Sequence, residues 1–325
     1  MTLKTGLAFL SLPLFLIAAS PAYPFGGPLP YKNQFPLFAH LDTPYIDSAR
    51  PESSASFGLS YSSVYMVRDS PSWSVGLDME TAELDLRLKK NFHDSLELGV
   101  DIPFISFNSG FMDGLLDSYH SAFGFGDYGR SNRPANDFLY TVKKDGRTVI
   151  QGEGGRVGPG DIAVSLKKTL FARDSDTLIS VKASLELPTG ESKRGYGNGS
   201  TGAAIALLAD KDIGDGVRVY LNLGAAFPGD LRGYERVKLH DYLYAAAAVE
   251  AAVFKNLSLV AQAYYEESPY PWTGIATIDK SAVILSLGGR YTSADTAFEL
   301  AFTEDPSTSG APDFSLTFAY KLTFR

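Results

Sequence analysis

Four histidines, His40, His93, His120 and His240, are the only imidazoles available for general-base or metal chemistry. None has a spaced partner of the H-E-x-x-H kind. There is no cysteine, so thiolate nucleophiles, disulfides and sulfur-ligated metals are excluded. Gly124-Phe125-Gly126-Asp127-Tyr128-Gly129 matches the letters of a dinucleotide fingerprint. The helix that must follow it cannot start at Arg130-Ser131-Asn132-Arg133-Pro134. Ser165-Leu166-Lys167-Lys168 matches S-x-x-K, but on a strand Ser165 and Lys168 point to opposite faces and cannot pair as nucleophile and base. Leu187-Pro188-Thr189-Gly190 is not a complete sorting signal and reads as a strand running into a loop. No residue is therefore assigned a catalytic, cofactor-binding or metal-ligating role, and the chain is read as a non-enzyme.

The remaining polar chemistry lies in charged residues at strand spacing. By their phase, Asp85, Arg87, Glu97, Asp101, Lys167, Lys182, Glu186, Arg218, Glu250, Gln262, Glu266, Arg290, Glu299 and Lys321 share the side opposite the apolar residues. Two arrangements suit such a row. It can line a pore selecting a polar solute, or acids and bases can pair across a filled interior. Both signs occur in similar numbers, which favours pairing over strong ion selectivity.

The elements that must position these residues are long alternating strands. In Phe314 to Phe324, apolar Phe314, Leu316, Phe318, Tyr320, Leu322 and Phe324 alternate with Ser315, Thr317, Ala319, Lys321 and Thr323. Strands of about 9–11 tilted residues cross a bilayer, and the terminal aromatic strand looks like the assembly signal of an outer-membrane barrel. Arg325 after Phe324 departs from that pattern. Twelve strands are expected, near 52–67, 73–90, 95–108, 160–171, 176–188, 200–211, 216–227, 238–254, 257–267, 280–292, 295–304 and 312–325. In the second, the apolar set shifts from Trp73, Val75 and Leu77 to Ala82, Leu84, Leu86 and Leu88. A bulge near Met79–Glu80 is the expected cause. Short turns alternate with longer connections, as in up-and-down outer-membrane barrels with even strand numbers. The fold class is therefore all-β, a transmembrane antiparallel barrel of about twelve strands.

Residues 1–22 read as a signal peptide: Lys4, an apolar run to Ala19, and small residues at Ser20-Pro21-Ala22. Residues 23–51 are rich in proline, which excludes a sheet interior. The barrel's periplasmic mouth and a disordered linker are the two readings for them. Residues 52–325 are the barrel, with 109–159 as a long external insertion. Phe111, Met112, Leu115, Leu116 and Tyr119 predict a short amphipathic helix there, followed by a hairpin turning at Lys144-Asp145-Gly146. The formal net charge of −8 argues against nucleic-acid partners.

Two segments carry a family resemblance. Pro28-Leu29-Pro30-Tyr31-Lys32-Asn33-Gln34-Phe35-Pro36-Leu37 and the stretch from Gly124 to Pro134 resemble a bacterial family filed as domain of unknown function 3187. Val157-Gly158-Pro159-Gly160-Asp161-Ile162 and Leu185-Glu186-Leu187-Pro188-Thr189-Gly190 resemble outer-membrane barrels assigned to transport in aromatic-compound degradation. The resemblance implies a bacterial outer-membrane address and a barrel fold, with no substrate, cofactor or catalytic residue. Expected partners are outer-membrane lipid, the barrel assembly machinery through Phe314–Phe324, and a small solute. The leading functional reading is passive passage or uptake of that solute. The alternatives are a structural or adhesive barrel acting through its external loops and a lipid-modifying enzyme resting on His240 or His120.

Overall fold

The computed structural model describes residues 25–324 except 94, 113, 115–133, 135, 174–175 and 308. The signal segment, most of the helix expected near 111–119, and the glycine-rich stretch 124–129 lie outside the described residues, as does His120.

In chain order the strands are β1 (Ser54–Asp69), β2 (Trp73–Phe92), β3 (Leu96–Asn108), β4 (Leu139–Lys144), β5 (Arg147–Gln151), β6 (Arg156–Pro159), β7 (Ile162–Arg173), β8 (Thr177–Leu187) and β9 (Gly202–Gly214). There follow β10 (Val217–Phe227), β11 (Leu231–Arg232), β12 (Arg236–Val237), β13 (Tyr242–Phe254), β14 (Leu257–Glu266), β15 (Ala282–Ser293), β16 (Thr296–Glu304) and β17 (Phe314–Thr323). Twelve of them, β1–β3, β7–β10 and β13–β17, form one antiparallel wall. It closes where β1 pairs with β17, from Ser54 opposite Thr323 to Ser63 opposite Phe314. Closure leaves no unpaired edge, the condition for a sheet to span lipid.

Alternation sets what each face meets. On β10, Arg218, Tyr220 and Asn222 are buried inside while Leu221 and Leu223 are exposed outside. The same holds for Leu259, Leu285 and Leu300, each about half exposed. Aromatic groups border this apolar belt. Tyr320 of β17 lies 5.7 Å from Phe57 and 5.0 Å from Phe298, and Phe302 lies 4.9 Å from Phe314. An exterior of this kind suits a bilayer, with aromatic girdles at its interfaces. This is an outer-membrane barrel.

The bulge expected near Met79–Glu80 is absent. β2 pairs with β1 without a register shift from Asp69 opposite Ser74 to Ser54 opposite Lys89. Odd-numbered residues of β2 face inward along its whole length; the inside changes, not the phase. Near the long loops, Trp73, Val75, Leu77 and Met79 enter a hydrophobic interior. At membrane level the inward positions are Thr81, Glu83, Asp85, Arg87 and Lys89, and lipid takes the apolar side chains on the other face. A reversal of solvent polarity on both sides of one straight strand mimics a bulge in sequence.

The insertion extends this wall outward. β4 pairs with β2 from Trp73 to Asp78, directly above the β2–β3 ladder. β4 and β5 form the expected hairpin. Its turn residues Asp145 and Gly146 have φ of 49° and 74°, the left-handed pair that a two-residue hairpin requires. The end carrying the longer connections is the external one and the short-turn end is periplasmic.

Placing a charge on the lipid face tests this orientation. Leu221→Arg should cost about 2–4 kcal/mol, as arginine does near a bilayer midplane. Arginine at the neighbouring inward Asn222 would meet the interior instead. Denaturant titration of folding into lipid vesicles measures the first value; an unchanged midpoint for Leu221→Arg would overturn the assignment.

Candidate functional site in the barrel lumen

The lumen is occupied by the chain's own N-terminal segment. Residues 25–33 ascend from the periplasmic mouth, 34–41 form a tip among the external loops, and 42–51 descend to β1. Proline suits this path, since it forbids a ladder position and fixes an extended backbone. Without a sheet to satisfy it, the backbone bonds to side chains of the wall. Gly26 and Gly27 donate N–H to Glu250 at 3.1 and 3.2 Å. Leu29 donates to the Gln262 side-chain oxygen at 3.0 Å. Asn222 brackets Asp47, accepting from its N–H and donating to its carbonyl, both at 2.9 Å. Asp210 accepts from the Ala49 N–H at 2.9 Å.

The tip is held by apolar packing. Phe35, Leu37, Phe38 and Leu41 are buried with Trp73, Leu77, Tyr140 and Tyr270 in one cluster. Phe38 lies 5.8 Å from the Tyr270 ring, and the Tyr270 hydroxyl donates to the Leu37 carbonyl at 2.8 Å.

The fourteen residues singled out by phase fall into groups. Asp47 of the descending arm gathers Lys89 at 2.8 Å, Lys182 at 3.1 Å and Lys167 at 3.3 Å. Glu97 shares Lys167 at 3.1 Å, and Lys321 reaches Glu52 at 3.2 Å. Burial alone would raise the Asp47 carboxyl, but Lys167, Lys89 and Lys182 hold it well below the usual carboxylate range. Arg290, 1% exposed, binds Glu250 and Glu299 at 2.6 Å each. It also donates to the carbonyls of Gly27 and Pro28. Arg87 lies 3.4 Å from Asp85 and 3.8 Å from Asp101, under the Tyr45 ring. Glu186 takes Lys32 at 3.1 Å, and Glu266 accepts from Asn33 and from Tyr264. Arg218 sits apart near the periplasmic end, with Asp212 at 3.1 Å and the Phe25 ring beneath it.

Sequence reasoning passed over the inner partners Lys32, Asn33, Asp42, Asp47, Lys89, Asp161, Asp210 and Asn222. Lys89, Asp210 and Asn222 share the inward parity of their strands and were findable that way. Asp42 and Asp47 lie in a stretch with no periodicity. Of the histidines described, His40 is buried beside the tip, where burial lowers it to about 3. His93 lies in a turn and His240 is exposed.

Spaces remain beside this segment among the described residues. A vestibule of about 560 Å³ opens at the periplasmic mouth between Phe25, Arg50, Arg290 and Lys321. Above it, a cavity of about 50 Å³ lies between the segment and β1, β2 and β17.

The family description "Protein of unknown function (DUF3187)" matches residues 14–324. The chain belongs to the DUF3187 family. No curated protein matches it. Among solved structures, this family member is similar to the COG4313 outer membrane channel from Pseudomonas putida F1, at 16% identity and a TM-score of 0.55. The match covers 84% of this chain and 96% of that one. It is a likeness of fold. The KdgM porin matches more weakly, at 9% identity and a TM-score of 0.45 over 84% and 99% of the two chains. The P. putida toluene transporter TodX matches at 11% and 0.40 over 84% and 90%.

The charge groups make two predictions. Asp47→Ala strands Lys182 and leaves Lys167 and Lys89 to Glu97 and Glu52 alone, and it should cost about 3–5 kcal/mol, the usual penalty for breaking a buried pair. A large drop in the temperature at which the folded gel band converts on heating reports it; an unchanged temperature contradicts it. Asp42 is pushed up to about 9 by burial and by Glu186. A carboxyl raised on folding binds a proton that the unfolded chain has released, so its contribution to stability falls as pH rises from about 4 to 9. Asp42→Asn should flatten that part of the stability–pH curve. An identical slope in wild type and variant contradicts the assignment.

Proposed function

We propose that this protein is a passive outer-membrane channel for a small solute, with residues 25–51 as a movable stopper. One observation carries the reading: the wall balances part of its charge within itself, and Lys89, Lys167, Lys182 and Glu186 are met by Asp47 and Lys32 of a segment outside the sheet. Barrels that serve only as a scaffold can pack their walls against themselves, as eight-stranded barrels do. Here twelve strands enclose more space than their side chains fill, and a proline-rich chain takes up the difference. Withdrawing that segment leaves every ladder hydrogen bond intact and a charged, water-compatible lumen behind. The mixed charges suit a polar solute. We assign Phe314–Phe324, with its outward aromatic face, as the segment read by the barrel assembly machinery.

Planar-bilayer recordings of the full chain and of a variant lacking residues 25–51 test the proposal. The full chain should give small or intermittent conductance, and the deletion a steady conductance several-fold larger. The heat-shifted gel band verifies that the deletion has folded. A folded deletion variant that seals the bilayer would overturn the channel reading.

A further inference from the structure

Near the external end of the lumen, a cavity of about 20 Å³ lies between the stopper and β2, β3, β7 and β8. That is room for about one water-sized group. Asp42, Glu83, Asp85, Asp101, Asp161 and Glu186 line it, with Lys32 as its one lysine. Around it the acceptors outnumber the donors even with Arg87 counted, which lies 3.4 Å from Asp85 and 3.8 Å from Asp101. Asp42 is 3% exposed, and neither carboxylate oxygen has a hydrogen-bond partner. One oxygen each of Glu186 and Asp85 is likewise unpartnered. Asp161 is better supplied, accepting from the N–H groups of Gly190 at 2.7 Å and Asn198 at 2.8 Å.

Buried carboxylate oxygens of the wall without donors are costly, so Glu186 and Asp85 each leave one oxygen for a partner rich in N–H groups. Lys32 supplies part of one. Its ammonium is 3.1 Å from Glu186, and burial, which would lower its basicity, is outweighed by Glu186 and Glu83. The lysine is carried by the stopper, not by the wall. When the stopper moves, Lys32 and Asp42 leave together, and Glu83, Asp85, Asp101, Asp161 and Glu186 of the wall remain.

We propose that this pocket is a binding subsite for the primary ammonium group of a small cationic solute, with the Lys32 ammonium as its tethered stand-in. A primary ammonium fits the cavity, carries three donors, and brings the charge that the wall's acids lack. The proposal rests on the channel reading for its biological sense, but its test does not depend on conductance.

The experiment is binding of cadaverine to the detergent-solubilised full chain, with pentanol and glutarate as neutral and anionic counterparts. Lys32→Ala should bind cadaverine at least about tenfold more tightly than wild type, the value of one charge-assisted hydrogen bond freed from competition. Adding Glu186→Gln to Lys32→Ala should remove that gain, and neither counterpart should bind comparably. Lys32→Met, which keeps the apolar stem, replaces the alanine variant if the latter gives no heat-shifted band. Equal cadaverine affinity in wild type and variant, indifference to Glu186→Gln, or equal binding of glutarate would each overturn the subsite. A sealed deletion variant in the bilayer would instead remove the channel and leave the binding result standing.

Discussion

Buried charge must be answered by charge, and in this barrel part of the answer comes from a segment that is not part of the wall. Asp47 meets lysines from β2, β7 and β8 at once, and Glu97 and Glu52 share the surplus. Taking ions out of water costs several kcal/mol each unless geometry and hydrogen bonding compensate. The segment is therefore held in place by the wall and answers charge that the wall does not balance within itself. The strands fix where the lysines stand, and the position of Asp47 decides whether that arrangement is tolerable. Arg290 on the other side is answered by the wall itself, through Glu250 and Glu299, and ties in the ascending arm through two carbonyls.

Two different forces hold the segment at its two levels. At membrane depth it is fixed by ions and by N–H groups aimed at wall side chains. At the external end it is fixed by Phe35, Phe38 and their aromatic neighbours. The first is only weakly screened by salt because the pairs are buried. The second is non-directional and follows apolar area. Between these levels lies the acid pocket, where neither force is saturated. Asp42 adopts a left-handed φ of 68° there, against Gly202, whose missing Cβ leaves space for its carboxylate.

Much of the wall was legible because a barrel repeats one rule. Residues such as Leu221 and Asn222 declare their faces by parity alone, and parity also separates Ser165 inside from Lys168 outside. On β2, parity taken from hydrophobicity fails. That inference assumes a polar interior throughout, whereas Trp73 and Val75 face an apolar one. The inward positions of Glu250 and Arg290 were visible, but their partners Gly26 and Gly27 lie more than two hundred residues away and bond through their backbone. A proline-rich stretch displays no period, so nothing local distinguishes one threaded through a lumen from one left in solution. The expected charge pairing across the barrel was half visible. The acids and bases were found, and the chain that mediates between them was not.

Phe25 and Arg50 both line the vestibule at the periplasmic mouth. Withdrawal of the proposed stopper would therefore be that of a doubled-back loop, like a key drawn back through the hole it entered. No free end has to be drawn across the barrel and no seam has to open. The wall can zip shut first and be filled afterwards, and retraction can stop at any depth. Energy applied from the periplasmic side would act on both arms together, so one pull at a single end of the molecule is mechanically sufficient to empty it.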